Sequence, residues 1–258
     1  MIINTNAAAS AALYNLDQTN VNLRRSLTRL SSGLRINTAL DDPGGLAVSL
    51  KLSAAIRRTD ATSANVENAL SYLQSQDGVL QAASSILERM SELASSASGA
   101  ASTDDNALYD TEYDELATEL TTLTGEEFNG ISLFANPSST LVVRTSENAS
   151  QTVGITQVDL EDIATAVATG DLTTTSTATD AMAILDTQIQ ALAVLRATNG
   201  AQQSRLTFAQ DILEVNRLNL EAANSQIMDA DIAKESTEYA KNSILAEAGV
   251  AMLAQANT

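Results

Sequence analysis

The chain has no histidine and no cysteine in 258 residues, which removes the imidazole base, the thiolate nucleophile, the disulfide framework and the ordinary zinc site. Carboxylates are what remains for chemistry. The adjacent acid pairs nearest a glycine are Asp41-Asp42 and Glu126-Glu127. Asp42-Pro43 reads as an N-cap followed by proline at the first helical position. Negative charge at that place is stabilised by the helix dipole, and adjacent side chains on an extended loop point apart. The pair is therefore structural by this reading. Glu126-Glu127 precedes an Asn-Gly turn and reads as solvated. "DDPGGLAVS" lacks the lysine and the spacing of a phosphate-binding loop. Asn148-Ala149-Ser150 fits a glycosylation sequon, and the Ser and Thr of residues 138–180 offer hydroxyls for O-linked sugar. A carboxylate-dependent enzyme would need two acids facing each other in a pocket, and no spacing suggests one. The expectation is a protein that is not an enzyme, with no cofactor and no metal.

The elements that could position such residues are helical. Apolar residues make up 44% of the chain and aromatics only 3%, with two prolines in all; Ala and Leu lose little on becoming helical, and nothing interrupts them. Leu13, Leu16, Asn20, Leu23, Leu27, Leu30 and Leu34 step by 3 and 4, a heptad pattern predicting a helix over about 5–32. Gly33 then reads as a left-handed cap just past its end; the alternative is a continuing helix in which Ser-Ser-Gly admits another backbone. A second helix is expected from Asp42 to about Arg58 and a third over 61–98, with Leu73, Gln76, Leu80, Ala83, Leu87, Met90 and Ala94 on one seam. A fourth spans 104–123 through Tyr113, Leu116, Leu120 and Leu123. Between 125 and 180 the pattern changes. "EEFNG" predicts a tight hairpin, "STLVVRTSENASQTVGIT" two short strands, and "TGDLTTTSTATD" a loop. Helix returns at Ala181 and runs almost to the end.

Thirty-two acids against fourteen bases give a formal charge of −18, which repels phosphate and anionic lipid, so neither nucleic acid nor membrane is an expected partner. The excess also suits salty or alkaline water. "MIINTNAAAS" has no basic region leading into an apolar one, so the chain either stays inside the cell or leaves by a route that reads no cleaved signal. The fold class predicted is mainly α: a long antiparallel coiled-coil bundle, N- and C-terminal helices paired, with a small central β-hairpin region. Amphipathic ends of this kind must bury their stripes in each other or in further copies.

"MIINTN", "LSSGLRIN", "DDPGGLAVS", "EEFNG", "NGAQQSRL", "DADIAKE" and "LAQAN" resemble, in order and position, the landmarks of the bacterial flagellin family. The resemblance covers about residues 1–135 and 181–257. It implies a structural subunit that self-assembles into the extracellular flagellar filament for swimming motility; the alternative is a hook-filament junction protein, which shares the N-terminal landmarks. It also implies a division into residues 1–42 and 223–258 as an inner coiled coil, 43–135 and 181–222 as a helical core, and 136–180 in place of the outer domains, a minimal form. Leu13, Leu16, Leu23, Leu27 and Leu30 are expected to pack against a helix containing Leu220, Ile227, Ile244 and Met252. Implied partners are other copies, the type III export apparatus, a chaperone covering the C-terminal helix, the filament cap and junction proteins, and a host Toll-like receptor touching Arg89, Leu93 and Glu112. Family members usually run past "LAQAN" into a further apolar stretch, whereas this chain stops at Thr258, which implies a trimmed end or altered innermost contacts.

Overall fold

A computed structural model describes residues 6–100, 102–135, 138–148 and 150–256. In chain order the elements are α1 (Ala7–Ser32), α2 (Pro43–Ser98), α3 (Thr103–Leu123), β1 (Glu127–Phe128), β2 (Ile131–Ser132), β3 (Thr140–Arg144), β4 (Thr152–Thr156), α4 (Glu161–Val167), α5 (Thr175–Met228) and α6 (Ile232–Ala256). They form two units, one from residues 1–57 with 217–258 and the other from 58–216. Here these are called the terminal unit and the central unit; α2 and α5 contribute to both.

In the central unit every residue of the 73–94 seam is fully buried, Gln76 included. Tyr113 and Leu120 of α3, Ile163, Ala164 and Val167 of α4 and Leu185, Leu192 and Leu206 of α5 join the same core. The Asn-Gly turn closes the β1–β2 hairpin, with Glu127 opposite Ser132 and Phe128 opposite Ile131. Asn129 and Gly130 both have positive φ, 52° and 75°, as a two-residue turn matching strand twist requires. The second hairpin pairs β3 with β4 from Thr140 opposite Thr156 to Arg144 opposite Thr152.

Four element assignments differ from expectation. The second and third helices are one continuous α2. Residues 57–62, "RRTDAT", contain no Gly or Pro, Thr59 is buried, and the Thr62 hydroxyl donates to the Arg58 carbonyl at 2.8 Å. A short α4 stands within the stretch read as strand and loop, because Leu160, Ile163, Ala164 and Val167 fall at i, i+3, i+4 and i+7 and all turn inward. The helix expected to begin at Ala181 starts at Thr175, where Thr174 caps it: the Thr177 N–H donates to its hydroxyl at 3.2 Å. That same helix stops at Met228 instead of running on. Asp231 then opens α6, accepting from the Ala233 and Lys234 amides at 3.0 and 3.1 Å.

In the terminal unit α1 ends where expected. Gly33 takes φ 72°, and its N–H donates to the Arg29 carbonyl at 2.9 Å. Asp42 caps α2 through the Gly45 amide at 2.8 Å. A Cβ at Gly45 would lie 2.5 Å from the Asp42 carboxylate and 2.7 Å from Ile36 Cδ1, so the capping geometry itself requires glycine there.

Candidate functional site

Asp41 and Asp42 do point apart. While Asp42 caps α2, Asp41 accepts from the Asn37 amide and from the amide and hydroxyl of Thr38. Those bonds, led by the Thr38 amide, hold its carboxyl below the usual carboxylate range. Both acids are occupied in structural roles. Glu126 and Glu127 are exposed, as are Asn148 and Ser150 of the sequon, whose Ala149 lies outside the described residues. Among the described residues there is no group of three or more metal-ligating side chains. What the fold builds instead is a surface, and it starts from a clamp.

Just past Gly33 the link between α1 and α2 meets the link between α5 and α6. The Arg35 amide donates to the Met228 carbonyl at 2.6 Å, and the Ala230 amide donates to the Gly33 carbonyl at 2.9 Å. Leu34 and Asp229 thereby form an antiparallel bridge. Arg35 adds its guanidinium, donating from Nη2 at 2.7 Å and Nε at 3.1 Å to the Ile227 carbonyl at the open end of α5, a favourable place for a cation. Arg29 reaches Glu235 across the same junction at 3.7 Å. With the end of α1 fastened to the start of α6, the two helices run antiparallel. Leu16 accordingly meets Gly249 far from the clamp, 3.1 Å from where a Cβ would stand.

The seam between them is only half apolar. On α1 the covered positions include Ala12, Leu16, Thr19, Leu23, Ser26 and Leu30, spaced 4, 3, 4, 3, 4, with Asn20, Asn22 and Arg29 beside them; on α6 they include Glu235, Glu238, Asn242, Ala246, Gly249 and Leu253. Three leucines thus alternate with small or polar residues and face a helix edge that, apart from Leu253, is itself mostly small or polar. Near the clamp the helices leave a polar groove of about 690 Å³, lined by Ser26, Arg29, Arg35, Glu235 and Asn242 among others. Outside the seam stand Leu13, Tyr14, Val21 and Leu27 on α1, with Ile232, Ile244, Leu245, Val250 and Met252 on α6, all exposed.

The predicted packing residues therefore separate. Leu16, Leu23 and Leu30 lie in the seam, whereas Leu13 and Leu27 are 57 and 53% exposed and Ile244 and Met252 both 66%. Leu220 and Ile227 are half-buried and belong to α5, not to the helix that carries Ile244 and Met252. In the central unit Arg89 joins Glu112 at 2.7 Å and Glu92 at 3.1 Å, and these bonds, Glu112 first, push the guanidinium further up. Leu93 sits beneath them in the core. The structure brings Arg89 and Glu112 together at the surface and buries Leu93.

Sequence reasoning missed the clamp and a buried polar network. The Asn199 amide donates to the Leu73 carbonyl at 3.1 Å and to Gln76 at 2.9 Å, and Gln76 donates to the Leu133 carbonyl at 2.6 Å. Tyr72 adds its hydroxyl to the Ser132 carbonyl at 2.8 Å. These bonds fasten the segment after β2 to α2 and α5. The signal was the run of amides in "NGAQQSRL", which on a helix has no apolar reason to be buried.

A family model described as the bacterial flagellin N-terminal helical region matches residues 3–139, and one described as the bacterial flagellin C-terminal helical region matches 182–258. The chain belongs to the bacterial flagellin family. It is 38% identical to a flagellin of Halalkalibacterium halodurans over 264 residues, covering 100% of this chain and 96% of that one. A flagellar filament 33 kDa core protein of Treponema phagedenis is 35% identical and a flagellin of Bacillus subtilis 34%, each again over 100% of this chain and 96% of the relative. The crystal structure of Bacillus cereus flagellin matches with a TM-score of 0.53 at 31% identity, over 58% of this chain and 88% of that one. As a flagellin the chain is a structural subunit of the flagellar filament, and nothing in these matches favours the hook-filament junction alternative. Among the described residues no helix is long and apolar enough to cross a membrane.

Proposed function

We propose that this flagellin assembles by burying the exposed apolar side chains of its α1–α6 pair against the same helices of neighbouring copies, in the core of an extracellular filament. The observation that carries this reading is a mismatch inside the terminal unit. It exposes Leu13, Tyr14, Leu27, Ile244, Val250 and Met252, while Ile36 and Ala55 are its only fully buried apolar residues among those described. Large apolar side chains left exposed in such number on one helix pair support an interaction surface there. Charge points to the same face: the terminal unit holds nine bases and nine acids, the central unit five and twenty-three. Copies can therefore approach through the terminal unit without net repulsion.

The same reading assigns 1–42 and 223–258 to the inner coiled coil, 43–135 and 181–222 to the helical core, and 136–180 to the place of outer domains. Leu13, Leu27, Ile244 and Met252 become contacts between copies, with Leu16, Leu23 and Leu30 holding the pair that presents them. Passage through the type III export apparatus, a chaperone on α6, cap and junction proteins at the filament ends, and receptor contact through Arg89 and Glu112 belong to the proposal too; Leu93, expected beside them, is 3% exposed and offers no such contact. The role is non-enzymatic. Purified chain seeded with short filament fragments should grow fibres of uniform width under the electron microscope; a chain that stays monomeric at every concentration and salt refutes the reading.

A further inference from the structure

The central unit carries a stripe and a groove that its own fold leaves uncovered. On α5, Phe208, Ile212 and Val215 follow at i, i+4 and i+7 and are 66, 60 and 55% exposed. Asp211 shares that face. The groove has a volume of about 640 Å³ and is lined by Tyr72, Phe128, Ile131, Leu141, Val142 and neighbouring residues of α2 and both hairpins. Its floor is preset, because Tyr72 and Phe128 meet edge to face with centroids 6.2 Å apart and the Tyr72 hydroxyl is held by the Ser132 carbonyl. Arg144 lies two residues beyond Val142 and so on the same face of β3. It is the sole base between Arg89 and Arg196. Among the described residues neither Arg144 nor Asp211 has an ion-pair partner in the chain.

We propose that the α5 stripe of one copy seats in this groove of a second copy, Phe208 against the Tyr72–Phe128 floor and Asp211 paired with Arg144. The proposal rests on the filament reading and adds a contact to it. Stripe and groove are different surfaces, so the pairing is head-to-tail and propagates instead of closing into a dimer. Three side chains fall far short of the roughly 800 Å² per partner that a stable complex buries. The contact therefore forms only where the terminal units already hold the copies side by side, as a second, linked attachment.

The absence of cysteine allows a direct test. Phe208→Cys and Val142→Cys chains, mixed, polymerised and treated with a short thiol-thiol crosslinker, should yield a crosslinked dimer from filaments and none from monomers. The pair Ile212→Cys and Ile131→Cys should do the same. Filaments that form normally but give no dimer with either pair overturn the proposal. In parallel, Asp211→Arg or Arg144→Glu alone should raise the critical concentration about two- to fivefold, the range of an exposed ion pair, and the double reversal should restore it. If the single changes have no effect, or the double shows no rescue, the ion pair is wrong. If the unmodified chain grows no filaments, the filament reading fails and takes this contact with it.

Discussion

The two units bury and charge themselves in opposite ways. The central unit encloses a continuous core from Val66 to Leu213 and carries the whole formal charge of −18, whereas the terminal unit is formally neutral and leaves large apolar side chains in solvent. A domain stabilised by its own core tolerates a charged surface, because repulsion is spread over a fold that holds without help. A helix pair with a half-polar seam has no such reserve. Helices in proteins gain most of their stability from packing an amphipathic face, so covering the outer residues, as proposed, would add to the stability of the terminal unit. What this teaches is a division of labour by solvent: one region encloses its own apolar core, and the other presents apolar side chains that the proposed assembly would cover.

Deleting residues 240–258, or introducing Leu23→Asp into the seam, should break that contrast most severely. Filaments should vanish from electron micrographs while the central unit keeps a cooperative thermal transition by circular dichroism. Next in size is Leu87→Ala, which opens a cavity in the central core. It should destabilise by about 2–5 kcal/mol, lowering the melting temperature by roughly 10 °C without altering which face polymerises. Salt probes the charge side. Raising NaCl from about 0.1 to 1 M shrinks the screening length from about 10 to about 3 Å, and the critical concentration for assembly should fall several-fold; a flat dependence would show that the acidic unit does not oppose growth.

The smallest effect concerns Tyr113, buried and donating its hydroxyl to the Val167 carbonyl at 2.9 Å. Burial first, then the charges of Asp114 and Asp110, push its pKa up to about 12. The unfolded phenol loses its proton near 10, so above that pH the unfolded state binds fewer protons than the folded one. This contribution is fully present below pH 10 and is lost as pH rises toward 12. Tyr113→Phe should reduce stability by about 1 kcal/mol at neutral pH and flatten the alkaline limb of the unfolding curve. An unchanged alkaline limb would remove Tyr113 from the explanation.

How far the sequence could be read follows the same divide. The seam from Leu73 to Ala94 was legible residue by residue because one chain supplies both sides of it, so apolar period and burial coincide. In α1 the period was just as clear, yet Leu13 and Leu27 are exposed where Leu16, Leu23 and Leu30 are covered. Spacing names the apolar positions and is silent about whose surface covers each of them. The break at Asp229-Ala230-Asp231 was written as a capping aspartate, but with no Gly or Pro to mark it. The clamp was not legible at all. It joins backbone groups nearly two hundred residues apart, and apart from Arg35 it uses no side chain that advertises the bond.

The antiparallel course of α1 and α6 has a practical side. It brings the start of α1 beside the end of α6, so under the proposed assembly a fusion near either helix end would compete with the contacts between copies. The bend between Arg144 and Thr152, polar and joined to the remainder by a short two-stranded ribbon, is the better graft point for foreign cargo. A peptide inserted there should be displayed once per subunit along the whole length of the fibre.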